Sequence, residues 1–480
     1  MLAAITVVIV LTLLLVSAGL ALFAGYRWRD LLVLWFLATI ALYLSRFDQQ
    51  VQIPIHDRTY VALHAYLLGV AAALGLLRWV ARQTPRLGYT SLFVLLSLFA
   101  MLAVVSGLVN RAVDGFSSAV YVLVVVLLPL IVAALLVDCI PRGEGDQRRL
   151  RVSFILVIGV LTSSIVVGSA IAPNLFGEIL GWSTLAASRQ TGFVRGWSPL
   201  GGPIASGILL VFAYGLAMHE VIGGRRRRYI AVLLLVGTAL LFTLARSVMA
   251  MWLLFHIVYF WSAIRRHTAR VLGLIVVVGF LSIPLLWQLQ PRYSFERFFV
   301  FGGKSTELRA SSARAALAAS VKNPILGQGP GLLYEEIRRS GPVTAGGGAR
   351  RWKTTVVADQ ISALEPHNLY LLLAAEHGWI ALALFVGLLI LIWRRIRIRS
   401  QLLGDHDRSV RSALNALWIS TFVMLLTSSA PLVNPQVAVF FWFFAFTGLH
   451  WRETILRAGT HAHPEASFLI SPNRRGLGSD

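Results

Sequence analysis

Charge is what this sequence lacks most. Only 13% of its 480 residues are charged, about half the share found in a soluble domain. Acidic residues are the scarcer sign, with 21 Asp and Glu against 43 Lys and Arg. Lysine is almost missing: Lys304, Lys322 and Lys353 are the whole complement, and all lie in one polar stretch. The single cysteine, Cys139, excludes a disulfide framework and a cysteine metal site. No Gly-Lys-Ser/Thr follows the glycine-rich turn Gly327-Gln328-Gly329-Pro330-Gly331, which excludes a phosphate-binding P-loop. Asp405-His406-Asp407 comes closest to a metal motif, but it lies in a basic break and reads as solvated loop. No metal and no cofactor are expected, and no Ser-His-Asp arrangement can be argued.

What the chain has instead is hydrophobic length. Hydrophobic residues make up 57% and the mean hydropathy is +0.74. Apolar runs of roughly 20 residues recur, each long enough to cross ~30 Å of hydrocarbon. Backbone amides in lipid must be satisfied within each segment, so these runs are expected to be helices. They are continuously apolar rather than alternating, which argues against a barrel. The net charge of +22 does not form a nucleic-acid patch. The basic residues sit in the short breaks between runs, where cytoplasmic anchoring charge belongs. The expected partner is the lipid bilayer, with no nucleic acid.

Taken in order, the runs predict spans near 2–23, 31–44, 60–77, 91–109, 119–137, 154–172, 199–218, 271–287, 367–393, 413–429 and 436–450. The first has no basic residues ahead of it and reads as a span rather than a cleaved signal. Tyr229 to Ser262 is nearly all apolar, with Arg246 in its middle. As one helix it would be ~50 Å long, too long for one crossing at ordinary tilt. It reads as two short spans meeting near Arg246. The arginine-rich breaks then all fall on one side, the cytoplasm, with the N-terminus outside. The fold class is an all-α polytopic bundle of about 12–13 transmembrane helices. Residues 1–287 form the first set of spans, with an outward connection at 174–198. Residues 288–365 form one large outward loop with short helices, including Ser305 to Val321. Residues 366–451 are C-terminal spans, and 452–480 a disordered cytoplasmic tail.

The informative arginines are those that break the charge pattern. Arg189, Arg195 and Arg246 fall on or near the outer side. An ionisable group in mid-span costs at least ~2.5–3.5 kcal/mol, so something must offset Arg246. Either a carboxylate such as Glu178 pairs with this cluster, or an anionic ligand does; arginine holds phosphate by bidentate charge-assisted bonds. Ser198-Pro199 reads as the cap and first residue of a helix whose free amides would also favour an anion. Pro366 likewise reads as a first helical position with Glu365 as cap, placing His367 in the first turn of a span. There the helix dipole disfavours imidazolium and keeps the ring able to accept a proton; the alternative is an interfacial histidine packed among polar groups. His256 reads as mid-helix packing.

Three stretches together resemble the O-antigen ligase and O-antigen polymerase superfamily of bacterial envelope proteins. The first is Ser188-Arg189-Gln190-Thr191-Gly192-Phe193 leading into Ser198-Pro199. The second is Leu244-Ala245-Arg246-Ser247. The third joins Arg309, Ala315-Ala316-Leu317, Asn323-Pro324-Ile325-Leu326-Gly327-Gln328-Gly329, Pro366-His367-Asn368-Leu369 and Glu376-His377-Gly378. Leu200 stands where family members often carry Asn, and the tryptophan usual after the Arg309 equivalent is absent.

The resemblance implies a GT-C-like glycosyltransferase in the bacterial inner membrane with its active site facing the periplasm. Its donor would be a glycan on undecaprenyl diphosphate. Arg189 and Arg246 would contact the diphosphate, with Arg195, Arg309 and Asn368 in support, and His367 would be the catalytic base of a metal-independent, inverting transfer. As an O-antigen ligase it would act on a lipid A-core acceptor. As a polymerase it would join lipid-linked repeat units, so that the acceptor is itself a lipid-linked glycan. A reading from another class is a lipid-linked glycan transporter whose arginines line an anion path.

Overall fold

A computed structural model describes residues 28–42, 90–110, 127–138, 144–173, 196–200, 202–222, 227–243, 245–261, 304–330, 367–397, 405–429 and 434–462, together with Leu67, Leu68, Ala71, Leu175, Phe176 and Leu333. The helices are α1 (Trp28–Leu42), α2 (Thr90–Val109), α3 (Leu128–Asp138), α4 (Glu144–Phe154), α5 (Ser163–Ile171), α6 (Pro203–Ile222), α7 (Tyr229–Thr243), α8 (Arg246–Tyr259), α9 (Lys304–Lys322), α10 (Leu369–Ile396), α11 (Asp405–Met424) and α12 (Pro435–Ala462). A π-helical segment, Ile155–Thr162, joins α4 to α5. No β-strand occurs among the described residues. The chain is an all-α membrane protein. Arg148–Ile171, Pro203–Ile222 and Leu369–Ile396 are each long and apolar enough to cross a membrane. The runs expected at 2–23 and 271–287 lie outside the described residues, as does nearly all of 60–77.

The long apolar stretch around Arg246 is broken as its length requires. α7 ends at Thr243 and α8 begins at Arg246, with Ala245 in extended conformation between them. At 1.5 Å per residue each is roughly 20 Å long. Both pack on α6, while α7 also lies on α5 and α8 on α11. Gly207 of α6 lets α8 approach α6 closely, since a Cβ there would meet Val248 Cγ2 at 2.6 Å.

Three expectations shift along the chain. Ser198 does not cap a helix; its hydroxyl accepts from Leu200 N at 3.3 Å in a turn, and α6 starts at Pro203. Pro203 is the better first residue, because it needs no partner for an N–H and follows the helix-weakening Gly201-Gly202. Asp405-His406-Asp407 is the first turn of α11 rather than a loop. α12 runs on to Ala462, into the segment whose composition predicts no structure.

The core is aromatic. α12 carries Phe440-Phe441-Trp442-Phe443-Phe444, all at most 2% exposed, and a helix buried on every side belongs at a bundle centre. Phe212 of α6 stacks on Phe444 at 4.4 Å, and Trp418 of α11 meets Phe441 edge-on at 6.0 Å. Lipid is as apolar as these rings, so close packing rather than exclusion from water holds such helices together. His256 is packing as expected: its ring lies between Tyr214 and Trp252, with Nδ1 2.8 Å from Trp252 O and Nε2 3.2 Å from the Tyr214 hydroxyl.

Hydrogen bonds sort the helix ends into two groups. One end of the bundle joins α1 to α12 through Gln436 Nε2 and Ile40 O (2.8 Å), the segment before α6 to α12 through Asn434 Nδ2 and Leu200 O (3.0 Å), and α10 to α11 through Leu369 N and Leu425 O (2.9 Å). The opposite end holds the buried ion pair Arg151–Glu220 (3.4 Å) between α4 and α6, and Trp393 Nε1 donating to Asn415 Oδ1 (2.8 Å) between α10 and α11. The described arginine-rich breaks, at 148–151, 227–228 and 394–397, all fall at this second end.

Candidate functional site

α10 is two helices in one. Gly378 has φ 85° and ψ 170°, a non-helical conformation inside the run that is essentially reserved for glycine. The break strips intrahelical partners from nearby backbone groups, and these must be satisfied elsewhere inside a membrane protein. The turn after α9 supplies them. Gln328 N donates to Ala375 O at 2.8 Å and Gly329 N to Glu376 O at 2.9 Å, while Trp379 N donates to Pro324 O at 2.8 Å. The approach is backbone on backbone. A Cβ on Gly327 would lie 2.4 Å from the carbonyl carbon of Glu376, and one on Gly378 2.1 Å from Ile325 O. The glycine-rich turn and Glu376-His377-Gly378 are therefore two halves of one joint. It locks α9 to α10.

At the head of α10 the cap is Asn368, whose Oδ1 accepts from Leu371 N at 3.1 Å. His367 thus lies just before the helix rather than in its first turn, at the same positive end of the dipole. It is half-buried. Its position is fixed by the next residues: Leu369 N donates to Leu425 O, and the Tyr370 hydroxyl donates to Phe422 O at 3.0 Å. Asn368→Ala is expected to cost about 1 kcal/mol of stability through the lost cap, while Asn368→Asp retains it; thermal unfolding in detergent would show the difference.

Arg246, half-buried, opens α8 at its N-terminal residue. Arg309 lies on α9 with its surface open to solvent. Desolvation by the surrounding protein, and then the positive charge of Arg246, hold the Arg309 guanidinium below its usual pKa. The charge of Arg246, on a separate element, thus reaches Arg309. Arg189 and Arg195 lie outside the described residues, as does Glu178. The chain directly after Arg195 is placed: Gly196 N donates to Phe242 O at 2.9 Å, near the end of α7 and just ahead of Arg246, and the Ser169 hydroxyl bonds Trp197 O and N at 3.0 and 2.8 Å. The Ser198 and Ser206 hydroxyls are 2.6 Å apart at the head of α6. Among the described residues no group of three His, Cys, Asp or Glu could hold a metal ion.

Residues 230–386 match the family model described as O-antigen ligase. This segment is an O-antigen ligase family domain. It contains Arg246, Arg309, His367, Asn368 and both halves of the α9–α10 joint, and this match supports a glycosyltransferase-type enzyme similar to the O-antigen ligases and polymerases. Arg189 and Arg195 precede the matched segment. No curated protein matches the chain. What reasoning from sequence missed in the O-antigen ligase domain is the role of Gly327 and Gly378. Each glycine stands in a motif of its own, and nothing in the sequence says that the two meet; only the need to satisfy a broken helix joins them.

Proposed function

We propose that the enzyme transfers a finished glycan from undecaprenyl diphosphate to a sugar hydroxyl of lipid A-core, as an O-antigen ligase, at the outer face of the bacterial inner membrane. The observation that carries the reading is the matched segment, which brings Arg246, Arg309 and His367, just ahead of α10, into one O-antigen ligase domain. Its end of the bundle is opposite the described arginine-rich breaks, which fits an outward site. In this reading Arg246 and Arg309, with Arg189 and Arg195, hold the donor diphosphate, and the amide nitrogen of Asn368 supports them. His367 takes the proton of the acceptor hydroxyl as that oxygen attacks the anomeric carbon. The bond from carbon to phosphate oxygen breaks, and undecaprenyl diphosphate leaves with the electron pair. The arginines neutralise its developing charge without requiring a metal, and attack from the opposite side inverts the anomeric centre.

The test is purified enzyme with lipid-linked glycan, with and without lipid A-core. The ligase reading expects glycan on the core and no change in the donor alone. Growth of the donor chain without core would overturn it in favour of a polymerase. Movement of donor across vesicles with no new glycosidic bond would overturn the transferase reading. Arg246→Ala is expected to weaken donor binding by roughly 10–150-fold, from about 1.5–3 kcal/mol for a charge-assisted contact. Unchanged affinity by direct titration would remove Arg246 from the site.

A further inference from the structure

The α9–α10 joint has a third member that lies outside the matched domain. Ser106, fully buried in the last turn of α2, directs its hydroxyl at two carbonyls, one on each side of the joint: Leu326 O of the turn and Glu376 O of α10, the latter at 2.9 Å. One hydroxyl hydrogen serves one acceptor at a time or is shared between both. Asn110, four residues on, donates from Nδ2 to Gly327 O at 3.0 Å and to Ser106 O at 2.8 Å. Asn110 N also closes on Ser106 O at 3.1 Å. Phe99 of α2 extends the contact, its ring edge-on to the buried His377 at 6.0 Å. α2 thus grips the turn and the broken helix together. On one side of this grip α9 carries Arg309; on the other, the first half of α10 runs back to its Asn368 cap and, just ahead of it, His367.

We infer that Ser106 and Asn110 are positioning residues for glycosyl transfer, fixing the base at the head of α10 against the phosphate-holding face of α9. The inference rests on the roles proposed above for His367 and Arg309. Loosening the grip leaves each group present but lets the base drift from the acceptor, and a misplacement of about 1 Å costs roughly 10²-fold in rate. Donor affinity, set by the arginines, is retained.

Ser106→Ala and Asn110→Leu remove the donors while nearly keeping the volume. Enzyme carrying each is assayed with lipid-linked glycan and lipid A-core beside wild type and His367→Ala, with rates expressed per folded protein. The expected result is a fall in kcat of about tenfold or more, a donor KM within about threefold of wild type, and no further loss when either is combined with His367→Ala. Should Ser106→Ala fail to accumulate, Ser106→Thr, which keeps the hydroxyl, is expected to retain most of the wild-type kcat while Asn110→Leu loses it. Full kcat per folded protein, or a change confined to donor KM, overturns the inference while wild type still transfers glycan. Absence of transfer by wild type overturns instead the function on which it rests.

Discussion

Replacing His367 by Ala is expected to lower glycan transfer by roughly 10²–10⁴-fold, the usual worth of a general base, with donor affinity unchanged. The expectation follows from where the residue sits. His367 lies one residue ahead of the Asn368 cap, half-buried, on a segment tied to the end of α11 through Leu369 and Tyr370. The positive end of the α10 dipole disfavours a charged ring there, as a proton-accepting role requires. The acceptor hydroxyl must lose a proton as it attacks, and in this account His367 takes it. Loss of kcat without loss of donor affinity would distinguish this role from a binding one. Full transfer activity in the variant would end the general-base assignment.

The largest expected effect on stability comes from Gly378→Ala. Its backbone conformation, φ 85° with ψ 170°, costs about 1–3 kcal/mol for any residue with a side chain. The new Cβ would also lie 2.1 Å from Ile325 O and 2.4 Å from Ile325 C. Those atoms belong to a backbone pinned by its own hydrogen bonds to Ala375 and Glu376 through the following residues, so neither side can yield. A loss above about 3 kcal/mol is expected, read as a sharp fall in folded yield and in Tm in detergent. Gly387 is the control on the same helix. Nothing lies within 4 Å of its Cβ position, and Gly387→Ala is expected to be neutral or to stabilise by up to about 1 kcal/mol. Equal behaviour of the two variants would contradict the joint.

Membrane helices were readable from the sequence because lipid imposes one rule on a whole segment: continuous apolar length. The break at Arg246 followed from the same rule, since a helix through Tyr229 to Ser262 is too long for one crossing, and the ends at Thr243 and Arg246 agree. Helix starts were less legible. Ser198-Pro199 and Glu365-Pro366 both look like caps, yet the starts fall at Pro203 and Leu369. Serine caps and serine turns use the same hydroxyl, and a local pattern does not say which neighbour it meets. In the site, His367 and the arginines were visible as polar residues in places where polarity is costly. Ser106 and Asn110 were not visible, because a serine and an asparagine near a helix end are common, and their partners lie more than 200 residues away.

The central claim is a division of labour: arginines hold the donor and His367 moves the proton. Equilibrium titration of lipid-linked glycan onto wild type, His367→Ala and Arg246→Ala tests it most directly. The account predicts equal affinity for wild type and His367→Ala, with Arg246→Ala weaker by at least about tenfold. Donor binding lost in His367→Ala and kept in Arg246→Ala would contradict it.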